Sequence, residues 1–310
     1  MENVEKLMQL AGEAFDKEDY EKTVDYLRQA AEQGDRVAIL GMGYHYMYGK
    51  GVEKNIEEAV AWYKKAAELG EPVALFALGA TYSCDDYDDK NLTEAAAWYQ
   101  KAADAGVAEA MTALGNAYAS GLGVKKNKEK AMEWYQKAAE AGESIAMNLL
   151  GCAYQLGNKF PFGKNVEKDL DKAVLWQTKS AEAGESAAMY ALGVIYSNDE
   201  YRGKDDKKAV EWFKKAAEAG DTDGMCSLSY AYLYGEGIEK DIEKGIEWLQ
   251  KAADMGEANA MFAFGTLYEK GNGVPQDKEQ ALSWYRKAAE AGYEGAAEKV
   301  KELERTAESK

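Results

Sequence analysis

The sequence predicts an all-α protein built as an array of repeated helix pairs, and three observations carry that reading. All seven tryptophans fall in one register: Trp62, Trp98, Trp134, Trp176, Trp212, Trp248 and Trp284. They stand 36 residues apart, except Trp134 and Trp176, which are 42 apart. An Asn or Asp stands seven residues before each tryptophan, and a glycine eight residues after it. A fixed period of this length marks small supersecondary units that stack on one another.

The composition agrees. The chain has 310 residues, 46% of them hydrophobic and 30% charged, with only 3 prolines. This is globular rather than disordered, and its frequent Ala, Glu, Lys and Leu are strong helix formers.

Each unit reads as two helices. In the third unit the first helix is expected over roughly Ala110–Ser120, where Ala110, Leu114 and Tyr118 share one face at i, i+4 and i+8. Gly115 sits in the middle of that helix, as do Gly43, Gly79, Gly151, Gly193 and Gly265 in theirs, with Ser229 in the sixth unit. A mid-helix glycine costs about 1 kcal/mol against alanine, so a close approach of the two helices is expected there. The second helix starts at Asn55, Asn91, Asn127, Asp169, Asp205, Asp241 or Asp277, with Asp19 in the same register near the N-terminus. These are favoured N-caps, and Glu58, Glu94 and Gln280 are placed to complete capping boxes. The helix ends at Gly34, Gly70, Gly106, Gly142, Gly184, Gly220, Gly256 or Gly292, the residue type of a left-handed C-terminal cap. Ala131, Trp134, Tyr135 and Ala138 form its apolar face, with the tryptophan expected in the core.

The third unit reads AMTALGNAYASGLGVKKNKEKAMEWYQKAAEAG from Ala110, and the seventh AMFAFGTLYEKGNGVPQDKEQALSWYRKAAEAG from Ala260. This pattern resembles the Sel1-like repeat, a relative of the tetratricopeptide repeat. The resemblance implies antiparallel helix pairs stacked in a right-handed superhelical solenoid, and a role as a non-enzymatic adaptor between proteins. No linker-like segment interrupts the array, so one domain is expected: a divergent first pair over 1–34, seven repeats over 35–292, and a polar capping helix over 293–310. In the divergent pair Tyr26 takes the tryptophan register and Leu7 the glycine register.

Charge and motifs narrow the function. A formal net charge of -17 repels phosphate backbones and anionic membrane surfaces, so no nucleic-acid partner is expected. Its main expected role is solubility, with attraction of basic partners as the alternative. No apolar run approaches about 20 residues, so no membrane insertion is expected. The acidic N-terminal stretch does not read as a signal peptide. The three cysteines, Cys84, Cys152 and Cys226, fit neither a disulfide framework nor a zinc site. A reducing, cytoplasmic location follows as the expectation, with export as the alternative. The oligomeric state is left open, with a monomer as the default.

The G-x-G stretches, such as Gly49-Lys50-Gly51, follow helices and lack the glycines and Gly-Lys-Ser/Thr ending of a phosphate loop, so they read as turns. His45, the single histidine, is tied to no nucleophile by a recognisable motif and reads as structural or surface. Some relatives bind or weakly cleave β-lactams, which gives one alternative function. The serine motifs of that chemistry are missing here, as are those relatives' intra-repeat cysteines. An exported protein acting on host or envelope components, as some relatives do, is the other alternative. The acidic run Asp85-Asp86-Tyr87-Asp88-Asp89 lacks the central glycine and late glutamate of a calcium loop and reads as a solvated turn, with Asp199-Glu200-Tyr201 as its fifth-unit counterpart. Neither cofactor nor metal is expected. The insertion around Asn158 to Lys164, with Phe160 and Phe162, either borders a binding edge or tucks back onto the array.

By the resemblance, the first helices line a concave groove. Its positions lie two and five residues before, and two and five after, the leucine of Leu-Gly. They hold Val37, Leu40, Tyr44 and Met47 in the first unit, Val73 and Phe76 in the second, Tyr190 and Val194 in the fifth, and Tyr230 and Leu233 in the sixth. The third and fourth units offer the more polar Thr112, Asn116, Asn148 and Gln155. A peptide or protein segment is the expected ligand, since exposed aromatic clusters suit one. The alternative is that these side chains pack on the next unit.

Overall fold

The repeated caps and glycines do set the helix boundaries. A computed structural model of the chain describes residues 3–87, 90–161 and 166–308, with side chains through 305. Among the described residues there are seventeen α-helices and no strand. They fall into two compact units, one within residues 1–150 and 158–166, the other within 151–157 and 167–310.

The first unit holds α1 (Val4–Asp16), α2 (Tyr20–Glu32), α3 (Arg36–Tyr48), α4 (Ile56–Glu68), α5 (Pro72–Ser83), α6 (Leu92–Asp104), α7 (Ala108–Ser120), α8 (Lys128–Glu140) and the start of α9 (Ser144–Leu156). The second holds the end of α9, then α10 (Leu170–Glu182), α11 (Ser186–Ser197), α12 (Asp206–Glu218), α13 (Thr222–Tyr234), α14 (Ile242–Asp254), α15 (Ala258–Lys270), α16 (Lys278–Glu290) and α17 (Ala296–Glu308). Within each unit, helices adjacent in the chain pack together, most extensively in the pairs α1–α2, α3–α4, α5–α6, α7–α8, α11–α12, α13–α14 and α15–α16. No described helix is long and apolar enough to cross a membrane.

The expected N-caps form in every repeat. Asn55 Oδ1 accepts from the amide of Glu58 at 3.0 Å, and Asn127 Oδ1 from that of Lys130 at 2.9 Å. The expected capping boxes do not form. The amide of Asn55 donates instead to the carbonyl of Tyr46, that of Asn91 to Tyr82 and that of Asp277 to Tyr268, each at 2.9 Å. That carbonyl, from the end of the preceding helix, takes the donor that Glu58, Glu94 or Gln280 would have bonded.

Close approach explains the mid-helix glycine. A Cβ at Gly115 would lie 2.6 Å from the Tyr135 ring, which fills the space between α7 and α8. Tyr135 is fully buried there, as are Ala131 and Ala138 on its helix. The sixth repeat solves the same contact differently: Leu249 replaces the ring, and Ser229 Oγ donates to the carbonyl of Gly245 at 2.7 Å.

The tryptophans are less deep than expected. Each is half-buried, and the residue that follows it is buried in every case but Tyr99, which is half-buried like Trp98. The lysine three residues on lies over each indole, from 3.8 Å for Lys101 on Trp98 to 5.2 Å for Lys65 on Trp62. One face of the ring packs on apolar neighbours, as Trp134 does on the Ala102, Ala110 and Leu114 cluster, while the cation covers the ring.

The turns follow the same economy. In the acidic turn after α5, Asp85 pairs with Lys90, Asp86 lies 3.1 Å from Lys54, and Tyr87 is buried against Tyr82. Asp88, Asp89 and Phe162 lie outside the described residues, whereas Phe160 is buried. At the C-terminal end, Val300 and Leu303 of α17 pack on Tyr285.

Candidate functional site

Helices α3 and α5 build the site from the faces they do not bury. The Asp35 side chain accepts from the amide of Ala38 at 2.7 Å and starts α3. Ala38, Ile39, Met42, Gly43 and His45 then turn into the core. Helix α5 starts with Pro72 in its first turn and buries Ala74, Leu78, Gly79, Thr81 and Tyr82. The remaining faces meet. Val37, Leu40, Tyr44 and Met47 of α3, with Val73 and Phe76 of α5, line one cavity of about 540 Å³. All six are sequence-expected groove residues.

Tyr48, Tyr63 and Cys84 also line this cavity, and among the described residues no charged side chain does. Its size lies within the roughly 300–1,000 Å³ typical of ligand sites. Val37 and Val73 are each 48% exposed and Tyr48 60%. Phe76 is anchored from behind by Tyr99 of α6, with ring centroids 5.7 Å apart. Tyr44 and Tyr48, one helical turn apart, stand 4.8 Å apart between centroids. Burial, with Tyr48 and Tyr44 nearby, pushes the Tyr63 hydroxyl well above the ordinary tyrosine value, so it stays a donor.

A second cavity, of about 410 Å³, shares Val37, Gly41 and Tyr44 with the first. Met8, Phe15 and Leu27 add apolar walls, and among the described residues Asp16 is its one charged lining residue. Tyr44 therefore forms the wall between two apolar hollows.

Lys50 holds this wall in place. Its ammonium lies 5.6, 5.1 and 5.3 Å from the ring centroids of Phe15, Tyr20 and Tyr44, and donates to Tyr44 Oη at 3.0 Å. The turn that carries it is locked. Gly49 and Gly51 have φ of 65° and 72°, and a Cβ on Gly51 would run into the carbonyl of Tyr20. His45, buried behind Tyr44, contacts the carbonyl of Lys50 through Nδ1 at 2.7 Å, which requires Nδ1 to carry the proton. Burial, reinforced by the Lys50 charge, lowers the His45 pKa below its ordinary value, against the pull of that hydrogen bond. The histidine is thus a neutral structural group.

The other expected groove residues are not brought to this cavity. Tyr190 leans on Phe213 at 6.0 Å, and both it and Val194 pack on the core of the second unit. Tyr230 is 51% exposed, pairs with Tyr234 at 4.4 Å, and borders a smaller hollow of about 250 Å³. Leu233 fills the space beside Gly245 and lines a separate hollow of about 270 Å³. In the third repeat, Thr112 donates to Glu143 at 2.8 Å, and Asn116 accepts from Tyr135 at 2.7 Å, so both polar groups serve the fold.

Sequence reasoning missed Phe15, Tyr20, Tyr48, Tyr63 and Lys50. Tyr48 had a signal, since it stands four residues after Tyr44 on the same helix face. Phe15 and Tyr20 come from the divergent first pair, for which no groove positions were read.

The arrangement can hold apolar matter and orient it through a few hydroxyls. Among the described residues there is no group of His, Cys, Asp and Glu side chains able to hold a metal ion.

The model of the Sel1 repeat matches residues 7–35, 37–71, 72–107, 108–143, 144–185, 186–221, 222–257 and 258–293. The divergent first pair is thus counted as a repeat as well. Among solved structures, the chain is similar to a Sel1 repeat protein from Oxalobacter formigenes, with 30% identity over 97% of this chain and 87% of that one, and a TM-score of 0.72. It is also similar to c5321, a protective antigen of uropathogenic Escherichia coli strains with an SLR fold, with 30% identity and a TM-score of 0.64. That match covers 89% of this chain and 66% of the antigen, so the chain spans just under two thirds of its length. No curated protein matches the sequence. Eight consecutive repeats across nearly the whole chain, with helix pairs to match, place this protein in the Sel1 repeat family.

Proposed function

We propose that this protein is a non-enzymatic adaptor that holds an apolar peptide or protein segment on the surface formed by α3 and α5. Sel1 repeat proteins are generally protein-interaction scaffolds. One observation carries it: Val37, Leu40, Tyr44, Met47, Val73 and Phe76 converge on a single uncharged cavity. Half-exposed aromatic and aliphatic side chains around a hollow are the usual anchoring surface of an interface. The backing by Tyr99 and Lys50 preorganises it, so little ordering entropy is lost on binding.

The test is affinity capture from native lysate with wild-type protein and with the Tyr44→Ala/Phe76→Ala double variant. Wild type retains a specific protein that the variant loses while its helicity is unchanged. Equal retention by both would place the interaction elsewhere.

A further inference from the structure

Tyr63 differs from its counterparts in other repeats. Tyr99 Oη lies 3.1 Å from Ser83 Oγ, and Tyr135 Oη donates to Asn116 Oδ1 at 2.7 Å. Tyr285 Oη donates to Glu269 Oε2 at 2.6 Å and lies 3.2 Å from Thr266 Oγ1. These partners come from two registers of the first helix, one and four residues after its glycine. In the first repeat those registers hold Tyr44 and Met47. The Tyr44 hydroxyl is engaged by Lys50, and a thioether is a weak acceptor. The Tyr63 hydroxyl has no hydrogen-bond partner among the described residues, although Tyr63 is only 5% exposed and lines the cavity.

We infer that the cavity between α3 and α5 receives a neutral carbonyl, the backbone amide of an apolar peptide segment, and that this carbonyl accepts the hydrogen bond of the Tyr63 hydroxyl. The inference rests on the groove reading above and names the chemistry of the occupant. The acceptor is neutral because no cation among the described residues lines the cavity, and the Lys50 ammonium that holds Tyr44 is itself covered by three rings. A carboxylate entering there would lose its hydration without gaining a counter-charge. The groups flanking the acceptor are apolar, because Val37, Leu40, Met47, Val73 and Phe76 surround it. A peptide carbonyl between bulky aliphatic or aromatic side chains meets both conditions. The Tyr63 hydroxyl is reached from the cavity, and an occupant that covers it must supply an acceptor in place of water, or leave the donor buried and unpaired at a cost.

The probe is a phage-displayed library of random twelve-residue peptides, selected on the full-length protein, with clones that also bind Tyr44→Ala protein discarded. Surviving clones are remade as synthetic peptides, and their affinity is measured for wild type and Tyr63→Phe. Survivors are expected to share adjacent bulky apolar residues without Asp or Glu between them. Their dissociation constants should rise on the order of tenfold with Tyr63→Phe, the loss of one hydrogen bond. Without peptide, Tyr63→Phe should melt at or above the wild-type temperature, because no internal bond is lost. Unchanged affinity with Tyr63→Phe, or survivors with acidic cores, would overturn the inference and leave the groove reading standing. A lowered melting point for unliganded Tyr63→Phe would also overturn it, since the hydroxyl would then have an internal partner. If every enriched clone binds Tyr44→Ala protein as well, or none is enriched, the groove reading falls and the inference with it.

Discussion

The hydroxyl of Tyr135 donates to Oδ1 of Asn116 at 2.7 Å across the two helices of one repeat. The same ring closes the gap over Gly115, so one residue packs the pair and ties it. Burial pushes the Tyr135 hydroxyl up to about 12. Replacing it with Phe keeps the packing and removes the bond. Tyr135→Phe should therefore lower stability by about 1 kcal/mol, read as a lower denaturant midpoint at unchanged slope.

Gly115→Ala isolates the steric half of that relationship. Alanine gains about 1 kcal/mol of helix propensity over glycine. At Gly115 the new methyl would sit 2.6 Å from the Tyr135 ring, and such overpacking costs about 1–3 kcal/mol. A net loss of stability is expected. Gly12 of α1 is the control, because a Cβ there meets nothing within 4 Å, and Gly12→Ala should stabilise. Chemical denaturation of both variants checks the opposed signs.

His45 gives the protein a pH-dependent stability. Its pKa is lowered in the folded state, chiefly by burial, against the ordinary 6.5 of the unfolded chain. The Lys50 ammonium and the rings of Phe15, Tyr20 and Tyr44 surround it. Above pH 6.5 both states hold it neutral and its contribution is complete. As pH falls below 6.5 the unfolded chain binds a proton that the folded chain resists, so stability declines. Melting temperatures measured from pH 7.5 to pH 5 should fall more steeply for wild type than for His45→Gln.

Much of this fold was legible in the sequence, because each repeat marks its helix ends with residues whose local chemistry is strong. The Asn and Asp caps and the terminal glycines worked for that reason. The capping boxes failed because a tertiary contact, the tyrosine carbonyl of the preceding helix, competed for the same amide. The tryptophans were read one residue too deep. Periodicity shows that a face is apolar but does not rank Trp134 against Tyr135, and a lysine three residues on lets the indole stay half-exposed. The groove positions of the first two units converged because one register rule places them on adjoining helices. The same rule placed Leu233 on a groove, although the sixth repeat's Gly245 opens a space that this side chain fills. The Lys50 cage was not legible, since its rings come from three helices and two of them belong to the divergent first pair.

Lys50→Ala tests that cage. It removes a cation held over three rings and the donor to Tyr44, and should lower stability by roughly 1–2 kcal/mol. It should also loosen Tyr44, so binding at the α3–α5 surface weakens more than the absence of direct Lys50 contact would suggest. Thermal melts and partner affinity of the same variant separate the two effects.

In the proposed adaptor, partner binding is concentrated on the α3–α5 cavity. The most direct measurement is titration calorimetry of the captured partner against wild type, Tyr44→Ala/Phe76→Ala and Tyr230→Ala, a half-exposed tyrosine of the same register as Tyr44. The double variant should lose on the order of a hundredfold in affinity, as expected for two aromatic anchors, while Tyr230→Ala stays within about threefold of wild type. Equal affinities for all three, or a larger loss with Tyr230→Ala, would contradict the account.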